Sequence, residues 1–412
     1  MSAPAITTFG ELDQRSLDQL MRCAEAGGAD FAVLCADHHP GYSQPIGGVV
    51  AYRDYISPSG VGYDIACGNK AVRTNIDAGD LDVPRVMDEI VQRISFGVGR
   101  NNATRVDDSV IDDILHSSFA PQRRMHQLAA NQLGTVGSGN HYVDLFRDED
   151  DRVWIGVHFG SRGFGHRTAS GFLAMAAGLK FDERTRDGEM DSPPVLFAVD
   201  SEIGQAYIEA MALAGKYAYA GRDAVVATVL GILGAEVTDE VHNHHNFAWR
   251  ERHGDAEYWV IRKGATPAFP GQRGFVGGSM GDISVILEGV DGDEAASALY
   301  STVHGAGRVM SRTQAAGRWQ KVVEQRTNAQ GKVYDFKRRV RTGGAIDWDA
   351  TRQDLATRGI ELRGAGADEA PGVYKRLGDV LGFHAGSIRI LHTLTPLGVA
   401  MAGDDIHDPY KD

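Results

Sequence analysis

Apolar positions along the chain follow two periods, and stretches of each are interspersed. Leu12 to Arg22 places its apolar residues on one helical face, and the same spacing predicts helices over Val83–Gln92, Ser109–Leu115 and Pro121–Leu133. Residues 169–180 and the alanine-rich run 202–219 also read as helices. Ile46–Tyr52, Arg152–His158, Tyr258–Arg262 and Ile283–Glu288 are short apolar runs between turn residues, the pattern of strands. From Phe31 onward the segment DHHPGYSQPIGGVVAYRDYISPSGVGYDIACG reads as loop-rich, and 365–380 mixes loop with helix. Strands and helices do not alternate regularly and no repeat is evident. The expectation is an α+β fold, a single large domain over residues 1–403 with a strand-rich centre and surrounding helices. Residues 181–193 and 324–342 read as surface insertions, and 404–412 as a polar tail.

Composition narrows the class. A chain of 412 residues with 42% hydrophobic content can bury a large core and is not a disordered polymer. No apolar run is long enough to span a membrane, and the first twenty residues lack a basic n-region and an apolar h-region. The three cysteines, Cys23, Cys35 and Cys67, do not make a disulfide scaffold. These features point to a cytoplasmic protein, and a monomer is the default expectation. A formal net charge of -13 disfavours general nucleic-acid binding but permits a local basic groove.

The histidines change the picture. Asp64-Ile-Ala-Cys67 sets a carboxylate and a thiol three residues apart between glycines, in a loop able to wrap an ion. A lone intracellular cysteine is more often a small buried hydrophobe. His141, His158, His245 and His304, however, all sit at strand ends or glycine turns, where a metal or catalytic centre is the stronger reading. Mixed carboxylate, imidazole and thiolate donors suit manganese, and also zinc, cobalt or nickel. His304 is followed by Gly305, Gly307 and Arg308, a setting that admits a phosphate, and imidazole nitrogen is a competent nucleophile toward phosphorus. Residues 262–265 (RKGA) and Ser279 add donors, with solvated basic residues and plain glycine turns as the bland alternative. Neither a P-loop nor a well-placed GxGxxG is present.

Taken together, PIGGV, GVGYDIACG, LGTVGSGNH, VHFGSRG, HHNFA, RKGATPAFPGQ, GGSMG, STVHGAGR and DEAPGVYK form an ordered set over roughly residues 37 to 403. In this the chain resembles the RtcB family of RNA ligases. The resemblance implies a GTP- and Mn2+-dependent ligase acting in tRNA splicing or RNA repair. Such an enzyme joins RNA 3′-phosphate or 2′,3′-cyclic-phosphate ends to 5′-hydroxyl ends. It also implies Asp64, Cys67, His141, His158 and His245 as ligands of two metal ions, and His304 as the guanylylated nucleophile. Asn140, His141, Asn246, Arg262, Lys263, Gly264, Ala265, Ser279, Met280, Gly305, Ala306, Gly307, Arg308 and Tyr374 are the implied nucleotide contacts. An archease-like activator is an implied partner.

Four positions depart from the family pattern. Ala402-Gly403 stands where the family ends in Lys-Gly, Asp144 where it has glutamate, Gly277 where it has proline and Phe159 where it has serine. These departures leave open a metal-dependent phosphodiesterase or nucleotide hydrolase, or a non-catalytic RNA-end-binding protein.

Overall fold

Asn69 and Asn243, on neighbouring strands, close the larger sheet of the molecule. In this computed structural model, which describes residues 4–184, 190–328 and 330–404, that sheet begins with Arg273–Val276, Ser284–Gly289, Ile388–Gly403 and Tyr142–Arg147. It continues through Arg152–Phe159 and Gly68–Asp77 to Val237–His244, and Glu361–Ala365 joins Ile388–Gly403 in parallel. Asn69 donates its amide to the Phe275 carbonyl at 2.8 Å, and Asn243 accepts the Phe275 N–H at 2.9 Å. The first and last strands are therefore bridged by side chains, and the sheet is nearly a barrel.

A second sheet orders Ala5–Thr8, Phe31–His39, Ile46–Tyr52, Ala256–Lys263 and Asn246–His253. The chain crosses from Val237–His244 to Asn246–His253 through the single residue His245. His245 is thus fixed at the joint between the two sheets.

The helix Glu202–Leu233 packs on Arg152–Phe159 and Gly68–Asp77. Ser201 caps its start by accepting the Gly204 N–H, and Gly234, left-handed at φ 63°, ends it. Tyr207, Ala210, Met211, Ala214, Tyr217 and Ala218 recur at helical spacing and are buried. Arg222 lies on the same buried face, where a charge needs strong local compensation.

The α+β expectation with a strand-rich centre is met. Ile46–Tyr52 and Ser109–Leu115 have the expected bounds. Pro121–Leu133 is instead two short helices, Ala120–Arg124 and His126–Gln132, and 202–219 continues to Leu233. Gly221 does not end that helix, because it packs against Phe159; a Cβ there would stand 3.4 Å from the ring. Phe31–His39, read as loop-rich, is a strand whose interior residues are all buried, so it lacks the alternation that marks a half-exposed strand. The charged insertion is a hairpin of Arg318–Thr327 and Val333–Thr342, starting six residues earlier than 324. Residues 185–189 of the other insertion and 405–412 of the tail lie outside the described residues. Among those described, no helix is long and apolar enough to cross a membrane.

Candidate active site

Each carbonyl of the Asp64–Cys67 loop is held by a different part of the chain. Asn246 donates its amide to the Asp64 carbonyl (3.3 Å), Ser161 its hydroxyl to Ile65 (2.6 Å), and Arg222 its Nη1 to Ala66 (3.0 Å). The His245 N–H completes the set at the Cys67 carbonyl (2.9 Å). These bonds sustain Ala66 in a left-handed conformation, φ 56°, which an alanine adopts only under constraint. Gly160 leaves the room Asp64 needs, since a Cβ there would meet the carboxylate at 2.2 Å.

The result is a tight group of donor atoms. Cys67 Sγ lies 3.6 Å from both His141 Nε2 and His158 Nε2, and Asp64 Oδ2 lies 3.1 Å from His141 Nε2. His158 stacks on His245 with centroids 5.3 Å apart, and His245 meets the His304 ring edge-on at 4.8 Å. Because Asn69 uses its Nδ2 on Phe275, its Oδ1 must accept from His158 Nδ1–H at 2.6 Å. His158 Nε2 is thereby left as a lone pair directed at the cluster, the usual arrangement behind a metal-binding imidazole. Burial, reinforced by neighbouring histidines and Arg222, holds the His158 and His245 imidazoles well below their ordinary range, so both are neutral donors. Burial raises the Asp64 carboxyl, but the hydrogen bond and charge of His141 outweigh it, with Cys67 and Arg162 helping, and hold it at about 2. Burial, with Asp64 beside it, pushes the Cys67 thiol up, so thiolate would need a cation. The ligand atoms of Cys67, His141 and His158 lie within 4.8 Å of one another, a nitrogen and sulfur set that fits a divalent ion, with Asp64 bonded to His141 and His245 stacked on His158 at its edge.

His304 is oriented separately. Asp37, fully buried, accepts His304 Nδ1–H at 2.6 Å and the backbone N–H groups of His304 and Gly305 at 3.0 and 3.3 Å. Burial would raise the Asp37 carboxyl, but the charge and hydrogen bonds of His304 outweigh that and lower it. Gly307, at φ 75°, lies against the Asp37 carbonyl, where a Cβ would come within 2.2 Å. The Asp37 hydrogen bond fixes the tautomer with a free Nε2.

A cleft of about 1330 Å³ contains this constellation. Asp64, Cys67, His141, His158, His245 and His304 line it, with Asn140, Asn246, Lys263, Gly264, Ser279, Met280, Gly305, Ala306, Gly307, Arg308 and Tyr374. Lys263 donates to the Tyr42 carbonyl at 2.6 Å, and burial lowers its ammonium to about 8. Arg262 points elsewhere. Its guanidinium is fully buried and grips Glu251 at 2.6 and 3.0 Å, Ser301 at 2.8 Å and the Leu299 carbonyl at 2.9 Å. Ala265 is buried in the pair of strands Ala265–Pro267 and Ser301–Val303.

The departing positions fall in different places. Phe159 is core, and its carbonyl accepts from Arg222 at 2.7 Å. Gly277 lies under the Tyr142 hydroxyl, 2.2 Å from where a Cβ would be. Asp144 is buried in the cleft wall and its carboxyl is pushed well above the usual range by burial. Val399 and Met401 line the cleft, whereas Ala402 is nearly buried behind it.

Sequence reasoning passed over Asp37, Asn69 and Arg222. Their signals were an acid preceding two histidines, an asparagine immediately after DIACG, and an arginine on the buried face of an apolar helix.

Comparison with known proteins agrees with the motif order. A family model described as tRNA-splicing ligase RtcB matches residues 19–127 and 116–343. A tRNA-splicing ligase RtcB of Thermococcus kodakarensis is 29% identical, with 94% of this chain and 91% of that protein covered. The RNA-splicing ligase RtcB of Escherichia coli K12 is 30% identical, with 87% and 86% covered. A tRNA-splicing ligase RtcB of Pyrobaculum aerophilum is 31% identical over 68% of this chain and 73% of its own.

Proposed function

Because the chain belongs to the RtcB family, we propose that it is a GTP- and Mn2+-dependent RNA ligase, joining RNA 3′-phosphate or 2′,3′-cyclic-phosphate ends to 5′-hydroxyl ends in tRNA splicing or RNA repair. The observation that carries this reading is the placement of His304. Its Nδ1 is committed to Asp37, and its ring lies one histidine away from the Cys67–His141–His158 cluster.

Asp64, Cys67, His141, His158 and His245 would hold two manganese ions, which supply Lewis-acid neutralisation of phosphate charge when bound. The chain's own part is nucleophilic. His304 Nε2 attacks the α-phosphorus of GTP; an N–P bond forms and the bond to pyrophosphate breaks. The buried Asp37 carboxylate stabilises the positive charge that develops on the ring. Any cyclic end is first opened by water to a 3′-phosphate, whose terminal oxygen then takes the guanylyl group, breaking the N–P bond. Attack of the 5′-hydroxyl on the activated phosphorus forms the phosphodiester and releases GMP. In this reading Lys263, Arg308 and the glycine-bounded backbone from Gly305 to Gly307, all of which line the cleft, bind phosphate oxygens, and Asp144 meets the base.

The test is the intact mass of the protein after incubation with GTP and Mn2+. A gain of one GMP is expected, acid-labile and absent in His304→Ala, with bound manganese unchanged in that variant. A protein that holds manganese and forms no adduct is a hydrolase or an RNA-end-binding protein instead.

A further inference from the structure

The most basic segment of this acidic chain is the hairpin of Arg318–Thr327 and Val333–Thr342. Residues 318–342 hold eight lysines and arginines against two acids, in a chain of net charge -13. Ten residues per strand at roughly 3.4 Å each make an arm about 34 Å long. Among the described residues no layer covers the ribbon over most of its length: Lys321, Gln325, Arg326, Lys337 and Tyr334 are exposed.

Register distributes its chemistry. Trp319, Lys321, Val323 and Lys337 fall on one face, because Trp319 pairs with Arg341 and Val323 with Lys337. Arg326, Tyr334 and Phe336 fall on the other, with the Arg326 guanidinium 3.7 Å from the centre of the Phe336 ring. Each face thus interleaves cations with rings. Cations alone suit any anion, whereas exposed rings among cations suit unpaired bases on a phosphate backbone.

The root of the arm adjoins the cleft. Arg341 packs over Trp319 at 4.9 Å and reaches Asp368 at 3.8 Å. Arg312, which lines the cleft, pairs with the same Asp368 and with Glu369. The helix Arg312–Ala316 passes through Gly317 alone into the first strand.

We infer that this hairpin is a single-stranded RNA-binding arm that holds the strand leading to the end engaged at His304. The inference rests on the ligase reading for the identity of that end. Lys321 and Lys337 contact backbone phosphates on one face, and a base turned over the edge of the two-stranded ribbon stacks on Tyr334 on the other.

The test compares the full-length protein with Lys321→Glu/Lys337→Glu and with Tyr334→Ala. Binding of a fluorescent single-stranded RNA carrying a 3′-phosphate is followed by anisotropy across a salt series. The charge variant should bind at least tenfold more weakly at low salt. Losing two phosphate contacts should also flatten its log–log salt slope by about 1.4. Tyr334→Ala should bind severalfold more weakly with the slope unchanged. Adduct formation with GTP and Mn2+, which needs no RNA, should be retained in both and reports that they fold.

Unaltered RNA affinity in variants that still form the adduct overturns the arm and leaves the ligase reading standing. If the wild type forms no adduct yet binds RNA in this hairpin-dependent way, with both variants giving wild-type melting curves, the ligase reading fails and the arm stands. Should the substitutions alter sedimentation of the protein while RNA affinity is unchanged, the hairpin is a protein-docking surface and the inference is wrong.

Discussion

The two walls of the cleft are built on opposite principles. On the imidazole wall, the donor atoms facing the cavity lie against one another, as His141 Nε2 does against Asp64, and the hydrogen bonds that aim them are made behind, by Asn69 on His158 and by Arg222 on the Ala66 and Phe159 carbonyls. On the guanidinium wall, the cations are already engaged. Arg308 donates to the Tyr374 hydroxyl at 3.0 Å and the Asp368 carbonyl at 2.8 Å, and Arg312 pairs with Glu369. The first wall gathers nitrogen, sulfur and carboxylate atoms against one another, where a cation would satisfy them together. The second already spends its positive charge on Asp368 and Glu369. His304 stands at the seam, and Asp37 gives it a carboxylate of its own.

The largest effect expected from breaking this comparison is on the prop behind the imidazole wall. Arg222→Met removes the donors to two buried carbonyls and to His242 Nε2, which lies 2.8 Å from Arg222 Nε. Orphaned buried acceptors cost about 1–3 kcal/mol each, so a loss of about 3–5 kcal/mol is expected in urea unfolding. Elemental analysis should find less bound manganese in the folded fraction, because Ala66 would no longer be held in its left-handed turn. Full manganese occupancy would mean that the remaining three carbonyl contacts suffice to shape the loop.

The second effect arises behind the seam. His384 Nε2 accepts the Ala36 N–H at 3.1 Å, next to Asp37, and its ring stacks on Phe9 at 4.3 Å. Burial lowers its imidazole from 6.5 to about 4, so the folded state holds it neutral. A folded-state value below the unfolded one means the contribution is whole above about pH 6.5 and lost as pH falls toward 4. At pH 4.5 the loss should approach 2–3 kcal/mol, about 1.4 kcal/mol for each pH unit below 6.5. His384→Gln keeps a neutral acceptor at every pH, and its unfolding free energy should fall less steeply with acid than that of the wild type. Parallel pH profiles would remove His384 from the account.

How far the sequence carried this picture follows from distance along the chain. Donor residues sit in short glycine-bounded motifs, so Cys67, His141, His158, His245 and His304 could be named from local pattern. The groups that aim them come from far away: Asp37 is 267 residues from His304, and Arg222 is 156 from Ala66. No local period marks such pairs. Arg262 illustrates the converse, since its neighbours Lys263 and Gly264 line the cleft while strand alternation turns its own side chain inward to Glu251. The buried strand Phe31–His39 escaped for a related reason, because both its faces are covered and its hydrophobicity has no period.

The smallest expected effect sharpens the comparison most. Glu369→Gln keeps a hydrogen-bonding amide where the carboxylate accepts from the Tyr374 hydroxyl, but removes the negative charge that Arg308 and Arg312 share. Since Glu369 is almost fully buried and the two guanidiniums are only partly exposed, a stability loss of about 1–2 kcal/mol is expected from the weakened charged bonds. Asp368 continues to hold Arg312 at 3.4 Å, so the wall should stay in place. Arg312 also reaches across to Gly139, where a Cβ would lie 3.1 Å from its Nη2, close to the turn that carries Asn140 and His141. With less of its charge spent on Glu369, this guanidinium should attract phosphate more strongly. The GTP concentration giving half-maximal adduct formation should therefore fall severalfold, while release of GMP after ligation should slow. If the half-saturating concentration is unchanged, Arg308 and Arg312 serve to hold the wall together, and anion binding in the cleft rests on Lys263 and the backbone of Gly305–Gly307.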